Sequence, residues 1–309
     1  MPIKIPGDLP AFRELEEENI FVMTEERAFT QDIRPLRIAI LNLMPTKTQT
    51  EIQFLRLLSN TPLQIDITLF VPSTHESKTT SVAYLKRFYR SFNDIKDEYF
   101  DGMIVTGAPL EKLDFRDVDF WDEMCEIMDW SRTHVFSTMY ICWAAIAALY
   151  HLFGIEKTEL GRKRSGVYEY TNALPREPLM RGIDPIFRMP QSRFATVSHN
   201  DVCDCKELRI AASSGSDVAI LISDLGDVFI TGHLEYDAGT LEGEYWRDYA
   251  RGMTPDVPEN YFRNDDPNHK AVLSWRSYST LIFTNWVNYY VYQRTPYDIG
   301  DVRKRLERK

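Results

Sequence analysis

The sequence predicts an α/β fold built on a mostly parallel sheet with helices on both faces. Two observations carry this prediction. Four apolar runs of strand length alternate with helix-length segments through residues 36–153, and the later part of the chain holds further short apolar runs separated by turns. Alternation of strand and helix is typical of parallel sheets, because each parallel connection needs a crossover. The short runs predict antiparallel additions to the sheet in the second half.

The first half contains the clearest elements. Its strands are predicted at residues 36–43, 63–71, 100–107 and 135–141. Their continuous or alternating apolar residues are typical of buried strands. Helices are predicted at residues 48–58, 81–91, 119–131 and 143–153. Because ligands of such sheets bind beyond the carboxyl ends of the strands, Gly107 and Cys142 are expected near a site.

The second half is predicted to be less regular. Residues 154–206 are rich in Arg, Pro and Gly and are expected to be mainly loops. The elements expected after them are short strands at 208–212, 218–222 and 228–231, helices at 241–251 and 273–292, an irregular connection at 255–267 and a charged tail at 303–309. The charged residues 1–35 are expected to form an extension packed on the body, with residues 36–309 as a single domain.

Composition excludes several classes of protein. The net charge of -10 over 309 residues provides no basic stripe for nucleic acid. No apolar stretch approaches the length of a membrane span. Four cysteines are too few for a disulfide scaffold, and the first residues lack an apolar signal segment, so a cytoplasmic location is expected. Phosphate-binding glycine motifs and zinc spacings are missing, so neither a bound cofactor nor a metal is expected.

Cys142 is the first candidate for chemistry. It separates the predicted strand at 135–141 from the predicted helix at 143–153, and Ala144 and Ala145 permit a tight corner there. A helix N-terminus favours a thiolate and can bind an oxyanion. A lone cysteine in an apolar context is more often a core residue, so Cys142 needs partners to be read as a nucleophile.

His233 and Glu235 are the candidate partners. They stand two residues apart at a predicted strand end, and a period of two places both side chains on one face. A histidine held by a carboxylate can deprotonate a thiol and later a hydroxyl. Gly232 lets a neighbouring backbone approach closely. Without Cys142, the pair would be read as a strand end with a solvated glutamate; with it, the three residues indicate covalent cysteine catalysis.

Seven segments then carry a resemblance to a known family. They are residues 41–45, 53–60, 106–110, 141–144, 165–169, 231–237 and 284–292. These segments resemble the motifs of the homoserine O-acyltransferase family, headed by homoserine O-succinyltransferase, whose fold is similar to that of class I glutamine amidotransferases. The resemblance covers nearly the whole chain and implies a glutamine amidotransferase-like fold.

The resemblance implies a ping-pong reaction in methionine biosynthesis. Cys142 would take an acyl group from acyl-CoA, and His233, oriented by Glu235, would deprotonate the hydroxyl of L-homoserine. The backbone N–H of Trp143 would contribute to the oxyanion hole, a type of donor whose loss can cost about 3 kcal/mol. The family also suggests a homodimer.

Three further residues resemble substrate-binding positions of the family: Lys163, Ser192 and Arg247. The Arg247 guanidinium suits the carboxylate of homoserine through a bidentate pair, and Glu244 is a weaker candidate for its ammonium group. The basic neighbourhood of Lys163 would attract polyanionic CoA. The alternative interpretation makes Arg247 and Lys163 solvated side chains, and Ser192 on its own would be read as a turn or cap residue.

Glu111 bears on which acyl group the protein would transfer. In the family that the chain resembles, glycine at this position accompanies succinyl transfer and glutamate accompanies acetyl transfer. Glu111 would occupy the space of the distal succinyl carboxylate and repel it. Two like charges about 4 Å apart repel by roughly 1 kcal/mol in water and about 4 kcal/mol at an effective dielectric constant of 20. The sequence therefore favours acetyl-CoA as the donor substrate.

Three alternatives remain open. A succinyltransferase differs only in the donor. A glutamine amidotransferase usually flanks its nucleophile with glycines, in a Gly-x-Cys-x-Gly pattern, whereas Tyr140 and Ala144 stand there in this chain. A catalytically inactive binding protein on this fold is expected to have lost Cys142, His233 or Glu235, and all three are present.

Overall fold

The structure, a computed structural model, describes residues 3–17, 22–23, 34–74, 79–295 and 299–300. Twelve strands of these residues form one sheet. They are β1 (Ile3–Lys4), β2 (Val22–Met23), β3 (Leu36–Leu41), β4 (Ile65–Val71), β5 (Arg90–Ser91), β6 (Phe100–Val105), β7 (Val135–Ile141), β8 (Lys157–Asn172), β9 (Ile186–Val197), β10 (Leu208–Ser214), β11 (Asp217–Ser223) and β12 (Val228–Ile230).

The helices surround this sheet. The α-helices are α1 (Pro10–Glu17), α2 (Lys47–Leu58), α3 (Val82–Phe88), α4 (Phe92–Ile95), α5 (Trp121–His134), α6 (Trp143–Phe153), α7 (His199–Asp204), α8 (Thr240–Ala250) and α9 (Arg276–Asn285). A π-helical segment, Trp286–Tyr292, continues α9. Short 3₁₀ segments occur at Phe115–Asp117, Pro178–Met180 and Arg263–Asp265.

The strand order is β2-β1-β4-β3-β6-β7-β12-β11-β10-β8-β9, with β5 beside β4. Every pair from β2 to β12 in this order is parallel, whereas the pairs from β12 to β9 are antiparallel. The predicted fold class, a mostly parallel sheet with antiparallel additions in the second half, is confirmed.

Residues on successive positions of the central strands enter two different cores. In β3, Ile38 and Ile40 pack into a cluster that includes α2 and α9, whereas Ala39 and Leu41 pack into a second cluster with α5 and α6. Burial on both faces explains the continuous apolar runs of this half, because neither face of such a strand can be polar. The helices therefore lie on both sides of the sheet, as predicted.

Three strands bring their carboxyl ends to one place. β7 lies between β6 and β12 and is parallel to both, so the chain leaves all three strands at the same edge. The loop containing Gly107 follows β6, Cys142 follows β7, and the loop containing His233 follows β12. Side chains that are distant in sequence can therefore meet at this edge.

The expectation of loops over residues 154–206 is wrong. The two longest strands, β8 and β9, form an antiparallel hairpin there, and α7 follows them. Gly161, Gly166 and Pro190 lie inside these strands, although glycine and proline are typical strand breakers. Glycine is required at position 166 because the backbone of Glu259 lies close to it. A Cβ there would lie 2.3 Å from the carbonyl oxygen of Glu259, and φ is +144°.

Smaller differences concern element ends. The helix predicted at 81–91 ends early, because α3 stops at Phe88 and β5 occupies residues 90–91, and the last predicted helix begins at Arg276 rather than at 273. The described part of the extension contains regular elements: α1 packs on α2, and β1 pairs with β4. The division into extension and single domain stays a prediction, and the charged tail at 303–309 lies outside the described residues.

Candidate active site

Cys142 occupies a strained corner between β7 and α6. Its backbone has φ 50° and ψ −115°, which L-residues rarely adopt, and its side chain is buried. The N–H of Cys142 donates to the carbonyl oxygen of Ile230 on β12 at 2.7 Å. The corner points the thiol beyond the sheet edge and places Trp143 at the first position of α6, where N–H groups lack intrahelical acceptors.

His233 and Glu235 lie in a loop beyond β12, which ends at Ile230. The expectation that a strand presents both side chains on one face is therefore wrong, although the two side chains do meet. A turn brings them together, with Nδ1 of His233 donating to Oε1 of Glu235 at 2.7 Å. The N–H of His233 donates to the carbonyl oxygen of Pro190 at 2.9 Å, which fixes this loop against β9.

The imidazole of His233 and the thiol of Cys142 meet over Gly107. The two side chains are within hydrogen-bond reach of each other. A Cβ at Gly107 would lie 3.3 Å from Cβ of Cys142 and 3.5 Å from Cε1 of His233, so a larger residue would crowd both. Burial lowers the pKa of His233, but its interactions with Cys142 and Glu235 outweigh burial and hold this pKa well above the ordinary value.

A cavity of about 800 Å³, here called the central cavity, opens over this cluster. Seven residues singled out in the sequence contribute to its wall: Glu111, Cys142, Lys163, Ser192, His233, Glu244 and Arg247. Glu235 lies behind His233 and lines a separate cavity of about 200 Å³. The indole ring of Trp143 is buried in the core near Phe115 and Phe120, so only its backbone is placed to serve the site.

The β8–β9 hairpin carries Lys163 and Ser192 to the central cavity. Ser192 pairs with Ser165 across the hairpin, two residues from Lys163. Both side chains bond one oxygen of Glu244 on α8, with Nζ of Lys163 at 2.8 Å. Burial raises the pKa of Glu244, but the charge of Lys163 and these hydrogen bonds outweigh it and hold the pKa below its usual range. A charged carboxylate therefore lies in this wall.

Arg247 stands one turn further along α8. Its Nε and Nη2 both contact Oδ1 of Asp248 at 2.8 Å, and about half of its side chain is exposed. This pair orients the guanidinium at the rim of the central cavity. The remaining face of the guanidinium faces away from Asp248, so a carboxylate can still approach it.

Glu111 lies in the loop after β6. Nζ of Lys157 donates to the carbonyl oxygens of Glu111 at 3.0 Å and of Leu113 at 2.6 Å, which anchors the loop on β8. Burial is the main influence on the Glu111 carboxyl and raises its pKa, against weaker opposing interactions with His233 and Lys163. Glu111 lines the same cavity as Cys142 and His233.

Sequence reasoning missed Tyr236, which follows Glu235 directly. Its ring stacks on the His233 imidazole, with centroids 4.1 Å apart and planes at 16°. An aromatic residue beside a His-x-Glu element was a visible signal, but only the turn directs the ring back to the histidine. The residues of loop 44–46 and the first half of α2 that line the central cavity were given no role in the site, since their pattern is that of an ordinary helix start.

Across residues 3–17, 22–23, 34–74, 79–295 and 299–300, no group of three or more His, Cys, Asp and Glu side chains could hold a metal ion. In the same part of the chain, no helix has both the length and the apolar character that crossing a membrane requires.

The fold defines the class of protein. The structure resembles a glutamine amidotransferase from Thermotoga maritima with a TM-score of 0.54 and 9% sequence identity, over 83% of this chain and 98% of that one. A glutamine amidotransferase from Methylobacillus flagellatus aligns with a TM-score of 0.52 and 10% identity, over 83% and 95% of the two chains. At these identities the likeness concerns the fold, which is that of the glutamine amidotransferases, as predicted.

The sequence identifies the family within that class. Residues 2–297 match the homoserine O-succinyltransferase family. The chain is 54% identical to a homoserine O-acetyltransferase of Methanomethylophilus alvi, over 99% of this chain and 100% of the relative. It is 52% identical to one of Lachnospira eligens, over 97% and 98%, and 49% identical to a homoserine O-succinyltransferase of a Shewanella species, over 98% and 97%. The chain belongs to the homoserine O-succinyltransferase family, a family of acyltransferases.

Proposed function

We propose that the protein transfers an acetyl group from acetyl-CoA to the hydroxyl of L-homoserine, through a thioester on Cys142. The observation that carries this proposal is the meeting of Cys142, His233 and Glu235 beside the central cavity. Membership in a family of acyltransferases and the names of the relatives support the choice of reaction. The product, O-acetyl-homoserine, is an activated intermediate of methionine biosynthesis.

The first half of the proposed reaction acylates the cysteine. His233 holds the proton of the Cys142 thiol, and the sulfur attacks the thioester carbonyl of acetyl-CoA. The N–H of Trp143 and the dipole of α6 stabilise the negative oxygen that forms. The C–S bond to CoA then breaks, the CoA sulfur takes the proton from His233, and CoA leaves as a thiol.

The second half transfers the acetyl group to the acceptor. His233, now neutral, takes the proton from the homoserine hydroxyl as its oxygen attacks the acetyl-Cys142 thioester. The bond to Cys142 breaks, and the thiolate and the protonated imidazole are restored. The hydrogen bond from Nδ1 of His233 to Glu235 keeps Nε2 directed at the reacting atoms in both halves.

The proposed acceptor subsite lies between the hairpin and α8. Arg247 would bind the homoserine carboxylate, and the negative Glu244, held by Lys163 and Ser192, would attract its ammonium. Oppositely charged groups one turn apart on α8 suit a zwitterion. No bound cofactor is needed, because acetyl-CoA enters and leaves as a substrate.

The presence of Glu111 supports acetyl-CoA over succinyl-CoA as the donor substrate. The loop that carries Glu111 is anchored by Lys157, so the backbone keeps this residue in the wall of the central cavity, where its carboxyl would meet the longer acyl group. The succinyltransferase remains the second candidate, because the Shewanella relative is 49% identical over nearly the whole chain.

One experiment separates the candidates. The protein is incubated with acetyl-CoA, succinyl-CoA or glutamine, and intact and peptide masses are measured before and after addition of homoserine. We expect an acetyl adduct on Cys142 that disappears with homoserine. A succinyl adduct that forms faster than the acetyl adduct would favour the second candidate, and ammonia released from glutamine would favour an amidotransferase. The inactive binding protein predicts no adduct with any donor.

Location and assembly are proposed on the same grounds. We propose a cytoplasmic enzyme that forms a homodimer, as the family resemblance suggests. Light scattering coupled to gel filtration tests the assembly, since a dimer has twice the chain mass of 36.1 kDa. Fractionation of cells that express the protein tests its location.

A further inference from the structure

Tyr236 lies between two groups of side chains that the proposed reaction uses separately. Its ring stacks on the imidazole of His233, with centroids 4.1 Å apart. Its hydroxyl donates to Oε1 of Glu244 at 2.9 Å. The indole Nε1 of Trp275 donates to the carbonyl oxygen of Tyr236 at 2.9 Å and fixes the backbone from behind. The tyrosine is 7% exposed, so it has little freedom to move.

The Tyr236 hydroxyl remains a donor. Burial raises its pKa, and the nearby charges of Glu244 and Glu235 raise it further, well above the ordinary value for tyrosine. The acceptor is charged, because Lys163 holds the pKa of Glu244 low. The bond between them is therefore a charge-assisted hydrogen bond to the oxygen that Lys163 and Ser192 leave open.

The Tyr236 ring covers one face of the imidazole. The two nitrogens of His233 are directed in the ring plane, with Nδ1 on Glu235 and the other side toward Cys142. Hydrogen bonds in the ring plane still allow the imidazole to rotate about the line from Glu235 to Cys142. A stacked ring restrains that rotation. The two kinds of contact together fix the plane as well as the direction of the base.

We propose that Tyr236 is a positioning residue that joins the catalytic histidine to the acceptor subsite, its ring acting on His233 and its hydroxyl on Glu244. This inference rests on the proposed function for the identity of the acceptor. Loss of the hydroxyl alone should weaken acceptor binding and spare acylation of Cys142. Loss of the ring should also disturb the reactivity of Cys142.

The first test needs no substrate. The rate at which iodoacetamide alkylates Cys142 is measured against pH in the wild type, Tyr236→Phe and Tyr236→Leu. We expect the phenylalanine variant to follow the wild-type profile and the leucine variant to show a displaced profile with a severalfold lower rate near neutral pH. Coincidence of all three profiles would overturn the role of the ring, whether or not the protein transfers acyl groups.

The second test separates the two half-reactions. We expect Tyr236→Phe to acquire the acetyl group on Cys142 at the wild-type rate, and to show a KM for homoserine raised by roughly ten- to a hundredfold with little change in kcat. An equal loss in both half-reactions, or no change in KM, would overturn the role of the hydroxyl. Absence of an acetyl adduct in the wild type would instead contradict the proposed function, and the alkylation profiles would then decide the role of Tyr236.

Tyr261 provides the matched control. It is also buried, and its hydroxyl is also hydrogen-bonded, to the carbonyl oxygen of Ala238 and the N–H of Glu242, but its ring stacks on Trp275 and not on the histidine. Tyr261→Phe should leave both the alkylation profile and the KM for homoserine within about twofold of the wild type. If it matched the effects of Tyr236→Phe, general loosening of this region would explain them and the proposal would fail.

Discussion

The parallel half of the sheet and the β8–β9 hairpin contribute to the same cavity by different means. The parallel half holds Cys142 at a corner buried between two cores, with the Glu111 loop beside it. The hairpin extends the far side of the sheet and presents Lys163 on β8, which has many charged and partly exposed residues, and Ser192 on the mostly buried β9. The comparison suggests that the rigid core positions the residues of the proposed acyl transfer, whereas the appended β8–β9 hairpin contributes to recognition of the acceptor.

This division has a physical basis. A nucleophile needs a fixed direction and a dry environment, which packing on both faces of a parallel sheet supplies. Recognition of a zwitterion needs charged groups, and these remain hydrated more easily near the edge of a sheet. Substitutions in one region should therefore change one half-reaction and spare the other.

The largest expected effect lies in the core. Cys142→Ser should lower the rate of acyl transfer by at least about three orders of magnitude, because a hydroxyl is a far weaker nucleophile near neutral pH. Cys125→Ser, at a half-buried cysteine on α5, is the matched control and should retain activity. Steady-state rates and peptide masses check this. Acyl transfer that survived in Cys142→Ser would mean that the core does not supply the nucleophile.

Glu111 should decide the donor without affecting the acceptor. Glu111→Gly should raise the ratio of kcat/KM for succinyl-CoA to that for acetyl-CoA by about one to three decades, as the space and the charge are both removed. Glu111→Gln keeps the size and removes the charge, so an intermediate ratio would separate the two effects. Since burial raises the Glu111 pKa, the wild-type preference for acetyl should weaken as pH falls through that raised pKa. A ratio that is independent of residue and pH would count against this role.

Lys163→Met should act on the acceptor only. It removes the cation that keeps Glu244 charged, so we expect a loss of roughly ten- to a hundredfold in kcat/KM for homoserine and unchanged acylation of Cys142. The Glu244 pKa should rise, and the acidic limb of the pH profile should move to higher pH, because the carboxylate then protonates sooner as pH falls. The exposed Arg162 is the control, and Arg162→Met should leave both quantities near wild type. Slower acylation of Cys142 in Lys163→Met would contradict the proposed division of roles between the parallel half and the hairpin.

Gly166→Ala should loosen the hairpin alone. A Cβ there would lie 2.3 Å from the carbonyl oxygen of Glu259, at a φ of +144°, so we expect a loss of about 1–3 kcal/mol in the free energy of unfolding. Gly161, on the same strand, has no atom within 4 Å of the position of a Cβ, and Gly161→Ala should be nearly neutral. Denaturant titration measures both. The KM for homoserine should rise in the first variant only, and equal behaviour of the two would contradict the constraint at Gly166.

The smallest effect concerns a buried lysine of the parallel half. Burial lowers the pKa of Lys47 to about 8, from 10.5. Between these values the unfolded chain binds the proton that the folded chain has lost, so this residue makes stability increase with pH from about 8 upward. Lys47→Met should reduce that slope between pH 8 and 9.5 in denaturant titrations, and the exposed Lys86→Met should not. An unchanged slope in Lys47→Met would contradict the lowered pKa.

The parallel half could be predicted because burial on both faces of its strands produces continuous apolar runs in the sequence. Strand β7 and helix α6 have the predicted bounds, and β3 and β6 differ only at their ends. The hairpin could not be predicted, since Gly166 and Pro190 are strand breakers by propensity and are tolerated only through contacts with distant residues. The pairing of His233 with Glu235 was predicted for a wrong reason: a turn, not strand periodicity, brings them together. The aromatic residue beside the His-x-Glu element was visible in the sequence, but its stacking on His233 depends on a turn that no local pattern indicates.

The backbone of Cys142 has a consequence for how this protein can change. A residue at φ 50° and ψ −115° is most easily provided by glycine, which would relieve the backbone strain at this corner. On the proposed mechanism, that replacement would also remove the thiol. Backbone strain and activity thus favour different residues at position 142. Selection for higher stability would tend to remove the enzymatic activity, unless the stabilising substitutions lay elsewhere in the fold.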